Sequence, residues 1–149
     1  MPPATTVLTE RMAQKLALLV QLRDLGLHQA ALIGAGDMTQ LLKLLAAKQR
    51  LLGALQSLER ELDRFRGDDP ETRAWPSPEH RRRCAEIAAA CEDLLRTIVE
   101  QERQCESQMR LRREEAAAQL HGAHCAAEVH HAYLAEPFAA SSQLDLTQG

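Results

Sequence analysis

Aromatic residues are almost absent: the 149 residues hold one Trp, one Tyr and two Phe. That excludes a core built on aromatic side chains, so leucine and alanine must supply the packing, as they do in helical bundles and coiled coils. Val and Ile are scarce too, which leaves strands little to be made from. A basic excess is missing, since the formal net charge is −3, and this argues against a nucleic-acid-binding domain. What is present, 45% hydrophobic and 26% charged residues, is ordinary for a globular chain. The length suits a single domain, 1–149, with a modest core.

Targeting and membrane signals are missing as well. The opening Met1-Pro2-Pro3-Ala4-Thr5-Thr6 has no charged segment followed by an apolar stretch. The apolar run at 16–20 is far shorter than the roughly 20 residues that span a bilayer. The expectation is a cytoplasmic protein that is not inserted in a membrane. No C-x-x-C pair occurs. Cys84, Cys91, Cys105 and Cys125 all fall in one predicted helix. A rise of about 1.5 Å per residue keeps them too far apart to bridge one another. Reduced thiols serving as small apolar core residues are expected.

Periodicity supplies the fold. Met12, Leu16, Leu19, Val20 and Leu22 follow three- and four-residue spacings and predict a first helix over about 7–33, capped by Thr5 or Thr6. Gly26 weakens it by about 1 kcal/mol relative to Ala. Gly34-Ala35-Gly36-Asp37 breaks it; Asp37, with Gln40 three positions on, then caps a second helix over about 38–66. Leu41, Leu44, Leu51, Leu55, Leu58, Leu62 and Phe65 keep a heptad spacing there, with Lys48 at the one missing apolar position. Leu42, Leu45 and Leu52 form a second edge. A polar loop carrying Trp75, expected to fold back on the bundle end, leads to Ser77-Pro78, a strong helix start. The third helix is predicted over about 78–135, and Pro137 opens a short mobile tail over 137–149. The fold class is all-α: an elongated antiparallel three-helix bundle or coiled coil with a long third helix.

The third helix is nearly twice as long as either of the others, so a three-helix bundle cannot cover all of it. Its second half carries too few large apolar residues to stand alone as a stable helix, and such a segment often orders on binding. Met109, Ala116, Leu120, Ala127 and Tyr133 are its candidate partner-binding residues.

Catalytic signals are lacking. Gly34-Ala35-Gly36 follows a helix rather than a strand and has no third glycine, so it is no phosphate loop. The basic runs Arg81-Arg82-Arg83 and Arg110, Arg112, Arg113 lie among Glu79, Glu86, Glu114 and Glu115 and read as a solvated, ion-paired face. His121, His124 and Cys125 share one helical face and are the right types for zinc, but no fourth ligand is apparent. No metal, cofactor or enzymatic activity is predicted.

One stretch resembles a known family. Gly36-Asp37, Leu41, Leu44 or Leu45, Lys48, Leu51-Leu52, Leu55, Leu58-Glu59 and Leu62 resemble the second helix of FlgN-type flagellar type III export chaperones. The order of parts, helix, short turn, Lys-bearing helix, polar loop and long third helix, is similar too. The middle of the third helix, Val99-Glu100-Gln101-Glu102-Arg103-Gln104, lacks the family's asparagines. Tyr133 is followed by Leu134-Ala135-Glu136-Pro137 rather than by a nearby glycine. The resemblance implies a non-enzymatic cytoplasmic chaperone. It would bind hook-filament junction proteins (FlgK/FlgL type) through the end of the third helix and touch the export-gate component FlhA through the Tyr133 region. The alternative is a structural coiled-coil subunit, in which the surplus helix self-associates.

Overall fold

The computed structural model describes residues 3–148, with side chains described through residue 135. Three helices account for nearly all of it: α1 (Ala4–Ala35), α2 (Met38–Arg66) and α3 (Pro78–Gln148), with a 3₁₀ turn at Pro70–Thr72. No strand occurs among the described residues. The protein is all-α, as its leucine periodicity dictates.

α1 begins earlier than the sequence predicts, with Pro3 at its N-cap and no side-chain cap. Thr5 and Thr9 have other uses. Thr5 Oγ1 donates to the Ala74 carbonyl at 2.7 Å, and Thr9 Oγ1 lies 2.9 Å from His80 Nε2. Both threonines are buried, so they fasten the start of α1 to the loop and to α3. At the other end only Gly36 is left-handed, with φ 72°; Gly34 is helical. The Gly36 amide donates to the Ile33 carbonyl and the Asp37 amide to the Leu32 carbonyl, both at 3.1 Å, a Schellman closure. Asp37 Oδ1 then accepts from the Gln40 amide at 3.1 Å and starts α2 at its predicted residue. α3 starts as predicted too, with Ser77 Oγ accepting from the His80 amide at 3.1 Å.

The predicted end of α3 is corrected. Its backbone is helical to Gln148, not to 135, so helix replaces the expected tail over 137–148; Gly149 lies outside the described residues. A proline's fixed φ is compatible with a helix and costs it one hydrogen bond and some crowding; no glycine follows Pro137 until Gly149.

The chain divides into two compact units, Met1–Gln108 and Met109–Gly149. The first is a three-helix bundle with three buried clusters. Leu8 meets Leu58, Leu62, Phe65 and Cys84, with Trp75 packed on the group. Leu19 and Leu22 meet Cys91, with Leu51, Leu55 and Ile98 beside them. Ile33 meets Leu41 and Cys105. The start of α1 thus lies against the end of α2 and the start of α3, an up-down-up order. Cys84, Cys91 and Cys105 are free, buried thiols, one to each cluster. By length and composition α1 is apolar enough to cross a membrane, with mean hydropathy 1.2, which the short run at 16–20 does not reveal. Its Leu19 and Leu22 are only 0% and 2% exposed, so those side chains are used inside the bundle.

The second unit is the remainder of α3. Its described side chains are exposed from Met109 to Ala135, apart from half-buried Cys125.

Candidate functional site: an exposed helical surface

Inside the first unit Arg73 Nε, Trp75 Nε1 and Gln108 Oε1 are buried without a hydrogen-bond partner among the described residues, whereas the buried polar layer at Lys48 is paired. Lys48 fills the gap in the α2 heptad as a buried cation. Its Nζ donates to Gln29 Oε1 on α1 at 3.1 Å and pairs with the Glu102 carboxylate on α3. One side chain therefore joins all three helices. Burial pulls the Lys48 ammonium below its ordinary 10.5, with Cys105 nearby pulling it back up. The Cys105 thiol is pushed up from 9.0 by burial, with Lys48 opposing. This arrangement suits a buried register-fixing layer.

A shallow groove between α1 and α2 is lined by Gln14, Leu18, Ala54 and Leu58, with Arg11 and Glu61 among its walls. Arg11 and Glu61 pair with each other at 2.7 Å. Of the first basic run, Arg81 reaches Glu71 of the loop at 3.8 Å.

Both units expose apolar side chains: the first shows Leu27, Leu42 and Val99, and the second carries a longer series along one helix. Met109 is 38% exposed, Leu120 72% and Tyr133 70%, and Ala116 and Ala127 are exposed as well. Met109, Ala116, Leu120 and Ala127 are spaced seven, four and seven residues apart, which sets them on one stripe of a helix. Tyr133 does not join them. At about 100° per residue, six residues beyond Ala127 place it about 120° around the helix. There it lines a shallow depression with Cys125, Ala126, Val129 and His130. Leu134, 59% exposed, takes the stripe position seven residues after Ala127. The sequence reading passed over it, although the same spacing identifies it. Val129 and Leu111, 70% and 58% exposed, lie far around the helix from the stripe.

The histidine cluster is only partly gathered. His121 Nε2 lies 3.6 Å from Cys125 Sγ, while His124 Nε2 pairs with Glu128 at 3.1 Å. Among the described residues no group of three or more His, Cys, Asp or Glu side chains is assembled for a metal ion.

Set against protein-family models, curated proteins and solved structures, the chain matches none of them.

Proposed function

We propose that this chain is a cytoplasmic, non-enzymatic export chaperone of the FlgN type. It binds the helical ends of hook-filament junction proteins (FlgK/FlgL type) and delivers them to the type III export gate. The observation that carries the reading is the helix after Gln108. It displays Met109, Ala116, Leu120, Ala127 and Leu134 on one exposed stripe, whereas in the first unit Leu19, Leu22, Leu58 and Leu62 build the core and Leu27 and Leu42 are exposed. An amphipathic client helix laid along such a stripe buries apolar surface on both sides, the helix-in-groove mode of recognition. The resemblance of 36–66 to the FlgN-type second helix supplies the particular client. The position of Tyr133 off the stripe leaves it free to touch a second protein, for which FlhA is the candidate.

The test is capture from a flagellated cell lysate by the full chain and by a chain ending at Arg113, read by mass spectrometry. Recovery of a hook-filament junction protein by the full chain alone is the expected result. If both versions recover only the protein itself, the chain is a self-assembling structural bundle and the chaperone reading falls.

A further inference from the structure

We propose that His121 and Cys125 form half of a zinc site, completed by the same pair from a second copy of the chain. The two residues stand one helical turn apart, and Nε2 and Sγ are 3.6 Å from each other. Zinc bonds of about 2.05 Å to nitrogen and about 2.3 Å to sulfur, at a tetrahedral angle, separate those donors by about 3.6 Å. The pair is therefore already spaced to chelate. The exposed thiol is not a general surface feature. The other three thiols are 7%, 1% and 2% exposed at Cys84, Cys91 and Cys105, which leaves Cys125 as the thiol within reach of solvent.

Two donors do not close a structural zinc site, which takes four protein ligands. The nearby His124 is engaged with Glu128, and no third ligand is gathered among the described residues. A second copy supplies the missing two. Antiparallel pairing about the level of Ala123 sets His121 opposite the partner's Cys125, and Cys125 opposite the partner's His121. The result is a two-sulfur, two-nitrogen set, suited to zinc's borderline softness. The face permits the approach: Ala118 and Gly122 flank the pair, and a Cβ built on Gly122 meets nothing within 4 Å. Pairing about this level also sets Glu128 across from Ala118 rather than another acid. On binding, each Cys125 thiol releases its proton to water and ligates as thiolate, with no change of oxidation state. This face lies more than a quarter turn from the Met109–Ala116–Leu120–Ala127 stripe, so the inference does not depend on the chaperone reading.

The experiment uses the full chain, purified under reducing conditions and stripped with a chelator. Zinc chloride is titrated while mass is followed by light scattering, and cobalt(II) serves as a spectroscopic substitute. The expected result is a doubling of mass at one zinc per two chains and a thiolate-to-cobalt absorption band. Both are lost in Cys125→Ser; His121→Ala loses the mass doubling, and both signals persist in His124→Ala. A monomer at saturating zinc overturns the proposal. So does dimerisation that survives Cys125→Ser, or loss of the dimer in His124→Ala with retention in His121→Ala. Client capture by Cys125→Ser is unaffected, which separates this site from the chaperone surface.

Discussion

The side-chain amide of Gln101 occupies the space that the missing side chain of Gly26 leaves on α1. Gln101 Nε2 donates to the Arg23 carbonyl at 3.1 Å, and a Cβ at residue 26 would stand 2.8 Å from Gln101 Cδ. Gly26 is buried, so the glycine serves as a seat for α3. In an open helix Gly→Ala gains about 1 kcal/mol. Here the gain is offset by expulsion of Gln101 and loss of its hydrogen bond, worth about 1 kcal/mol. Gly26→Ala should therefore leave the urea midpoint nearly unchanged, whereas in a Gln101→Ala background it should stabilise by about 1 kcal/mol. Equal effects in both backgrounds would show that the two residues are not coupled.

Lys48 invites a second cycle. Lys48→Met removes a buried ammonium, but it strands the Gln29 oxygen, whose residue is only 7% exposed. A buried acceptor left without a donor costs about 1–3 kcal/mol. Relief of Lys48 desolvation offsets part of that, and Glu102, whose side chain is 46% exposed, returns to water at little cost. Lys48→Met should lose about 1 kcal/mol, and Gln29→Met/Lys48→Met should recover it, because exchanging both partners for apolar groups of similar shape leaves nothing unpaired. A double variant no better than the single one rules out the stranded oxygen as the cause.

These two sites mark where sequence reasoning stops. The α2 boundaries were legible because every cue there is local: Asp37 caps Gln40, and the leucines keep one register. Lys48 was legible as a gap in that register. Its partners were not, because Gln29 and Glu102 come from the other two helices and nothing local selects them. Gly26 read as a weakness for the same reason: the residue that needs its space, Gln101, lies far along the chain. Thr5 read as a cap because a threonine near a helix start usually is one; its tertiary bond to Ala74 is invisible in a local window. On the exposed surface, the seven-residue spacing identified four of the five candidate residues as one stripe and was not carried on to Leu134. Tyr133 lies off that register and stands elsewhere.

The buried thiols predict an alkaline weakening. Burial pushes the Cys91 thiol up from 9.0, with Lys15 opposing and Glu59 adding to the rise. Below pH 9.0 both folded and unfolded chains keep the proton, and the contribution of Cys91 is constant. Above it the unfolded chain loses the proton first, so stability falls as pH rises, by up to about 1.4 kcal/mol per unit. Lys48 has the opposite sign, since its lowered native value makes stability grow as pH climbs toward 10.5. Comparison with Cys91→Ala cancels that background. The stability advantage of the natural chain over Cys91→Ala, measured by urea unfolding, should hold from pH 7 to pH 9 and shrink by pH 10. A gap that stays constant to pH 10 would place the Cys91 proton in contact with water.

The apolar stripe after Gln108 gives the sharpest test of the functional reading, because the helix offers its own control. Leu120 and Val129 are almost equally exposed, 72% and 70%, so an acidic residue at either one disturbs folding to a similar, small degree. They differ in face. Leu120 is on the stripe with Ala116 and Ala127; Val129 is on the side that carries Cys125 and the depression reaching Tyr133. Burying a leucine against a client is worth about 1.5–3 kcal/mol, which corresponds to roughly 10- to 150-fold in affinity. Leu120→Glu should weaken capture of a hook-filament junction protein by at least that factor, and Leu134→Glu should do so in the same direction. Val129→Glu should leave capture intact, with helicity unchanged in all three by circular dichroism. If Val129→Glu is the more damaging change, the client lies on the Cys125 face and the stripe assignment is wrong. Equal losses from both would mean that the helix is wrapped on two sides, as in a multi-helix assembly and not in a single client groove.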